Sequence, residues 1–263
     1  MIKNNILHAI ITGASKGFGR AIAYELAKRK INLILVALPE EGLENLAYEL
    51  KKYKIDVCCY ETDLSNKENV LLFTKFVTQN YRLNILINNA GIGGTKKMMD
   101  ANVEYIDSIL QLNITASVLL IHQLLPIMMV EDKSYILNVS SMASFSPIGF
   151  KTVYPASKRF IQHFSLGLSQ ELKKTNVFVS VVHPGPMMTN KNVTGRIKRR
   201  NLFWGIGQIS PEKTAQITIN QLFKRKALIL PGWLNCLTWL ILAIIPTKIT
   251  TSLLTRAANK ELN

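Results

Sequence analysis

Along the chain, short runs of continuously apolar, mostly β-branched residues alternate with longer stretches in which apolar side chains recur every three or four positions. The apolar runs predict strands over residues 7–12, 32–37, 57–61, 84–88, 134–139, 177–182 and 227–230. The periodic stretches predict helices, among them residues 19–30, 41–52, 67–80, 103–129 and 152–173. Strands that are apolar throughout, rather than at alternate positions, are expected to be buried on both faces, as in a parallel sheet. Their alternation with helices predicts an α/β fold, a doubly wound parallel sheet covered on both sides. One catalytic domain is expected over residues 1–230, followed by a basic, apolar helical extension over 231–263.

Two segments break the repeating unit. Residues 186–209 form a long insertion before the last helix–strand pair, and loops of this length in a compact domain usually act as lids. Residues 233–245 are nearly all apolar and are bounded by Pro231-Gly232 and Pro246. Thirteen residues fall short of the roughly 20 needed to span a bilayer.

Composition narrows the class. The chain has 263 residues, 48% of them hydrophobic, which excludes a mainly disordered polymer. Three cysteines, two of them adjacent, cannot build a disulfide framework, and four scattered histidines suggest no metal site. Residues 1–5 are polar and the apolar run that follows ends in a glycine loop, so no secretory leader is expected and a reducing, cytoplasmic location is. The net charge of +15 is uneven. Residues 191–263 carry 12 basic and 2 acidic side chains, a net of +10, against +5 before them. Such a balance fits nucleic acid, an anionic membrane or a phosphorylated ligand.

The candidate chemistry lies at the ends of the predicted strands. The first runs directly into Thr12-Gly13-Ala14-Ser15-Lys16-Gly17-Phe18-Gly19 and then a helix. Glycines there permit a tight turn and close approach of backbone to a pyrophosphate seated on the helix N-terminus. In Tyr154-Pro155-Ala156-Ser157-Lys158, the phenol and the ammonium are four positions apart and share one helix face. Moving a phenol from ~10 to neutrality requires ~4 kcal/mol, about what one ammonium at ~4 Å supplies at an effective dielectric near 20. Lys158 is therefore expected to depress the Tyr154 pKa. Ser141, just past the fifth strand, offers a hydroxyl able to donate to a carbonyl oxygen.

These motifs, with Asn88-Asn89-Ala90-Gly91, Asn113 and Pro184-Gly185, occur in the order and spacing of the short-chain dehydrogenase/reductase family, which residues 7–230 resemble. The resemblance implies a Rossmann-like fold and hydride transfer between a nicotinamide cofactor and a carbonyl/alcohol pair. It further implies Tyr154 as general acid, Lys158 as its partner and ribose ligand, Ser141 as the group orienting the substrate, and Asn113 as the holder of a relay water. Gly13, Ser15, Lys16, Gly17, Phe18 and Gly19 would cradle the cofactor. Asp63 and Leu64 would border the adenine, Asn89, Ala90 and Gly91 the cofactor's inner edge, and Pro184, Gly185 and Thr189 the carboxamide.

The second strand ends Leu35-Val36-Ala37-Leu38, with no carboxylate to repel a 2′-phosphate, and Lys16 can pair with one. NADP(H) is therefore expected, with NAD(H) as the alternative because Leu38 stands where the family often has Arg. Glu40-Glu41 is read as charge bias at a helix N-terminus.

Met187, Met188, Leu202, Phe203 and Trp204 suggest an apolar lid face and a hydrophobic substrate, with Arg196, Lys198, Arg199 and Arg200 on a solvated outer face. The C-terminal helix is expected to cover the cleft, meet another subunit of a homodimer or homotetramer, or lie at a membrane surface. Nucleic acid is not expected, since no binding motif is present and aromatics do not interleave with the basic run. A catalytically silent dinucleotide-binding sensor or scaffold is the alternative to an enzyme.

Overall fold

Continuously apolar strands need cover on both faces, and the fold provides it. A computed structural model describes residues 7–186 and 209–262. Seven parallel strands, β1 (Leu7–Thr12), β2 (Asn32–Ala37), β3 (Val57–Glu61), β4 (Arg82–Asn88), β5 (Ser134–Val139), β6 (Val177–Val182) and β7 (Leu228–Ile229), form one sheet in the order β3-β2-β1-β4-β5-β6-β7. On one face pack α1 (Gly17–Lys28), α2 (Leu43–Leu50) and Pro211–Phe223, which we label α7. On the other lie α3 (Lys67–Asn80), α5 (Ala116–Met128) and α6 (Val153–Glu171). The two-residue period of the strands divides the cores: Ala9 and Ile11 of β1 face α1, whereas Ile10 faces the α3 and α5 side. This is the expected Rossmann-like, doubly wound α/β fold.

The differences are local. The 103–129 helix is three pieces: α4 (Val103–Leu110), a π turn (Gln111–Thr115) and α5. It is long and apolar enough to cross a membrane, yet Ile109, Ala116, Leu120, Leu124 and Met128 are buried, so its apolar face serves the core. Helix α2 starts at Leu43 rather than 41, because Gly42 takes a left-handed turn at φ +78°. The last strand shrinks from 227–230 to two residues. The extension is two helices, α8 (Trp233–Ile244) and α9 (Thr247–Asn259), divided at Pro246.

The order reverses between β1 and β4, so the loops leaving them diverge and open a crevice at the carboxyl edge of the sheet. Beneath it runs a buried polar chain. The Asn88 amide donates to Asn138 Oδ1 (2.9 Å), the Asn138 amide to Ser165 Oγ (2.8 Å), and Ser165 Oγ to Ile161 O (2.6 Å). Asn138 thus ties β4 and β5 to α6. Asn138→Ala leaves buried partners unsatisfied and should lower unfolding free energy by about 2 kcal/mol in urea titration. A loss below about 0.5 kcal/mol would show that the chain is not structural.

Candidate active site

The glycine loop is built by exclusion. Gly13 and Gly17 hold φ near +60°, and a Cβ on Gly19 would sit 2.2 Å from the Gly13 carbonyl oxygen. The side-chain amide of Asn89 donates to the carbonyls of Thr12 (2.8 Å) and Gly13 (3.1 Å). In return, Thr12 Oγ1 accepts from the backbone N–H groups of Asn89 and Ala90, both at 2.9 Å. Helix α1 begins here with no side-chain cap and no acidic residue in its first turn, leaving its amides to an anion. A backbone cradle that any Cβ would fill, facing an uncapped helix start, fits a dinucleotide pyrophosphate.

The rest of the expected cofactor set is sorted by burial. Phe18 and Leu64 are core side chains, so only their backbone can face a ligand. Asp63 turns its carboxylate onto the backbone and hydroxyl of Ser65, both at 2.8 Å. Ser15 Oγ donates to Glu41 Oε2 (2.6 Å), and Lys16 Nζ pairs with Glu41 Oε1. Glu41 therefore does not bias a helix N-terminus, as its sequence position suggested; it bridges from the loop after β2 to the glycine loop. Burial would raise its pKa, but the bonds from Lys16 and Ser15 prevail and hold it below the usual carboxylate value. Pro184 O accepts from Met142 N (3.1 Å), and Gly185 lies under Asn235, which leaves no space for a Cβ. Thr189 and the lid residues Met187, Met188, Arg196, Lys198, Arg199, Arg200, Leu202, Phe203 and Trp204 lie outside the described residues.

Four strand-end and helix residues converge above β4 and β5. Tyr154 and Lys158 lie on the first turns of α6, with the Tyr154 phenol beside the Ser141 hydroxyl. Ser141 Oγ also accepts from Ala143 N (3.1 Å), capping the short turn Met142–Phe145. Lys158 Nζ donates to the Val139 carbonyl (3.0 Å), while Ser140 Oγ donates to the Lys158 carbonyl (2.7 Å). Asn113, buried in the π turn, donates to Ile92 O (2.9 Å) and Ser157 Oγ (3.0 Å) and accepts from Ile92 N (2.9 Å). A Cβ on Gly91 would fall 2.9 Å from Asn113 Oδ1 and 3.0 Å from Lys158 Nζ, so the loop after β4 brings the two together. Gly93 lies equally close against the Tyr154 ring, which borders a hollow shared with Tyr105 and Phe150.

One expectation is corrected. Lys158 does not depress the Tyr154 pKa here: its nitrogen is 6.0 Å from the phenol ring centroid and is held by a carbonyl. Burial raises the Tyr154 pKa, the Ser141 hydrogen bond only partly offsetting it, and burial lowers Lys158 to about 8. Desolvation disfavours the charged form of each group.

His183 was not singled out among the four histidines. It follows β6, is fully buried, and holds the Ser141 turn: Nδ1 lies 3.1 Å from Ser141 O and 3.0 Å from Ser144 Oγ, and its ring stacks on Phe145 at 4.5 Å. Its place directly before Pro184-Gly185, at a carboxyl strand end, was the available signal. Burial lowers its pKa from 6.5 to about 4. Its neutral form is the folded form, so the stability it confers is complete above pH 6.5 and is lost as the pH falls toward 4. Across that window wild type should lose about 3 kcal/mol more than His183→Gln, by urea titration at stepped pH. Parallel pH profiles for the two proteins would contradict this.

A family model for the short chain dehydrogenases matches residues 7–199. An uncharacterized oxidoreductase of Staphylococcus aureus strain MW2 is 32% identical over 182 residues, covering 69% of this chain and 78% of the relative. The NADP-dependent 3-hydroxy acid dehydrogenase of Schizosaccharomyces pombe is 29% identical over 229 residues, 84% of this chain and 88% of its own. Among solved structures, the bulky-bulky ketone specific alcohol dehydrogenase of Comamonas testosteroni is similar at a TM-score of 0.77 and 25% identity, over 92% of this chain and 96% of that one. With its glycine cradle, its Ser–Tyr–Lys–Asn set and the matching family model, the chain belongs to the short chain dehydrogenase family, the NAD(P)-dependent oxidoreductases of carbonyl and alcohol carbons.

Proposed function

We propose that the enzyme reduces a hydrophobic ketone or aldehyde, with NADPH as the preferred hydride donor. The observation that carries this reading is a half-buried phenol on the first turn of α6, packed against Gly93 and beside Ser141, whose desolvation raises its pKa. A phenol that keeps its proton at neutral pH is prepared to act as an acid, which favours the reductive direction. Ser141 donates to the carbonyl oxygen and orients it; Tyr154 gives its proton to the same oxygen as negative charge develops there. Lys158, whose burial loosens its hold on its proton, would return a proton to the phenolate through the relay water that Asn113 would hold. When bound, the reduced nicotinamide supplies the hydride that completes the alcohol.

Support for an apolar substrate comes from the bulky ketone specificity of the Comamonas relative. Exposed Val103, Leu110 and Phe160 on α4 and α6 support a homodimer or homotetramer, and three free cysteines a reducing, cytoplasmic location. Residues 1–230 would act as the catalytic unit and 231–263 as its cover.

Cofactor choice centres on Ser15, Lys16 and Glu41. The NADP dependence of the Schizosaccharomyces relative supports Lys16 as the partner of a 2′-phosphate, which must displace the Glu41 carboxylate. NAD(H) is the second reading, with Glu41 accepting from the free 2′-hydroxyl. Glu41→Gln should tighten NADPH up to about fivefold in fluorescence titration, since an exposed ion pair is worth at most about 1 kcal/mol. Unchanged NADPH affinity together with weakened NADH would favour the second reading.

Tyr154→Phe should lower turnover at least about a thousandfold with bulky ketones while leaving NADPH affinity nearly intact. Full activity in that variant would contradict the mechanism.

A further inference from the structure

Helix α8 has its polarity reversed. Its inner side, Asn235, Trp239 and Leu242, is half-buried: Asn235 covers Gly185, and Trp239 meets Phe145 edge-on at 6.5 Å. Its outer side, Trp233, Leu237, Leu240, Ile241 and Ile244, is exposed, Trp233 and Ile244 each by 73%. These positions follow the three- and four-residue spacing of one helical stripe, where a solvent-facing helix carries polar residues. No residue of α8 is charged, and none is buried. Helix α9 continues the pattern, with exposed Ile249 and Leu253 followed on the same face by Arg256 and Lys260.

The α9 side facing inward is firmly attached. Thr255 Oγ1 accepts from Gly149 N (2.9 Å), Thr250 Oγ1 accepts from Ser146 Oγ (3.1 Å), and Glu261 pairs with Lys151 (2.8 Å) and accepts from Thr95 (2.6 Å). The extension is therefore fixed over the turn that bears Ser141 and over the loop leading to Tyr154. Its one acidic group is turned inward, and its exposed charges, Lys248, Arg256 and Lys260, are all positive.

We propose that the outer face of α8 and α9 docks on the surface of an anionic lipid bilayer, with Trp233, Leu240 and Ile244 entering the headgroup boundary and Lys248, Arg256 and Lys260 meeting lipid phosphates. An apolar stripe beside uniformly positive charge complements such a surface, whereas a second copy on a twofold axis would set these cations against their own kind. Each Lys or Arg near an anionic membrane is worth about fivefold in partitioning, so loss of the set is measurable. Docking would bring the catalytic cleft within one helix layer of the lipid. The inference goes beyond the substrate proposed above and is read from binding, not turnover.

The test is flotation of the full chain with phosphatidylcholine vesicles, with and without phosphatidylglycerol. Wild type should float with the anionic vesicles, and its bound fraction should fall at least about tenfold on neutral vesicles or in high salt. Lys248→Glu with Arg256→Glu should lose the preference for anionic lipid, and Leu240→Glu with Ile244→Glu should lose binding to both vesicle types at unchanged melting temperature. If the apolar variant does not fold, the charge variant and the salt series decide. Wild type that fails to float would overturn the proposal, as would binding indifferent to both variants. A wild-type dimer in sedimentation, monomeric in the apolar variant and without vesicle affinity, would overturn it too and assign this face to a second copy.

Discussion

The architecture of the site depends on one amide. Asn89 shares its side-chain N–H groups between the carbonyls of Thr12 and Gly13, at the point where the strand order reverses. Those carbonyls lie at the end of β1, where Gly13 turns the chain at positive φ. Thr12 returns the tie by accepting from the backbone after β4. With the two loops joined, Gly19 is pressed against Gly13, and Gly91 is carried to Asn113 and Lys158. The cofactor cradle and the catalytic group are thus parts of one hydrogen-bonded unit, with the Asn88–Asn138–Ser165 chain as its floor.

Electrostatics at the site follow from burial. Desolvation keeps the Tyr154 proton on and loosens the proton's hold on Lys158, whose ammonium, with a pKa of about 8, is still mostly charged at neutral pH but is closer to giving its proton up. The phenol is kept as a donor by its surroundings rather than by its lysine neighbour, with its ring held against Gly93. His183 contributes by remaining neutral: buried beneath the Ser141 turn, its ring would have to be charged without water, which burial disfavours more than the bond to the Ser141 carbonyl favours it.

Much of this was legible in the sequence because it is encoded locally. Each strand is a continuous apolar run, and each catalytic residue lies within a few positions of a strand end or helix start, so spacing alone put Ser141, Tyr154 and Lys158 in order. What escaped depends on contacts between distant residues. Glu41 reads as a helix-start acid until the loop after β2 folds back on Ser15 and Lys16. The tail was open among cleft, subunit and membrane because pairs such as Ser146–Thr250 and Thr95–Glu261 span more than a hundred residues of chain. A π turn at Asn113 left no mark on the sequence pattern, because the segment on both sides of it is apolar and one inserted residue does not interrupt the run.

The central claim is that this fold transfers hydride to a carbonyl carbon beside Tyr154. The most direct measurement is reduction of a bulky ketone with NADPH deuterated at the nicotinamide C4, followed by mass analysis of the alcohol. Transfer predicts one deuterium on the carbinol carbon, delivered from a single face of the cofactor. Alcohol formed without deuterium, or no turnover of any ketone by a chain that binds NADPH, would contradict the account.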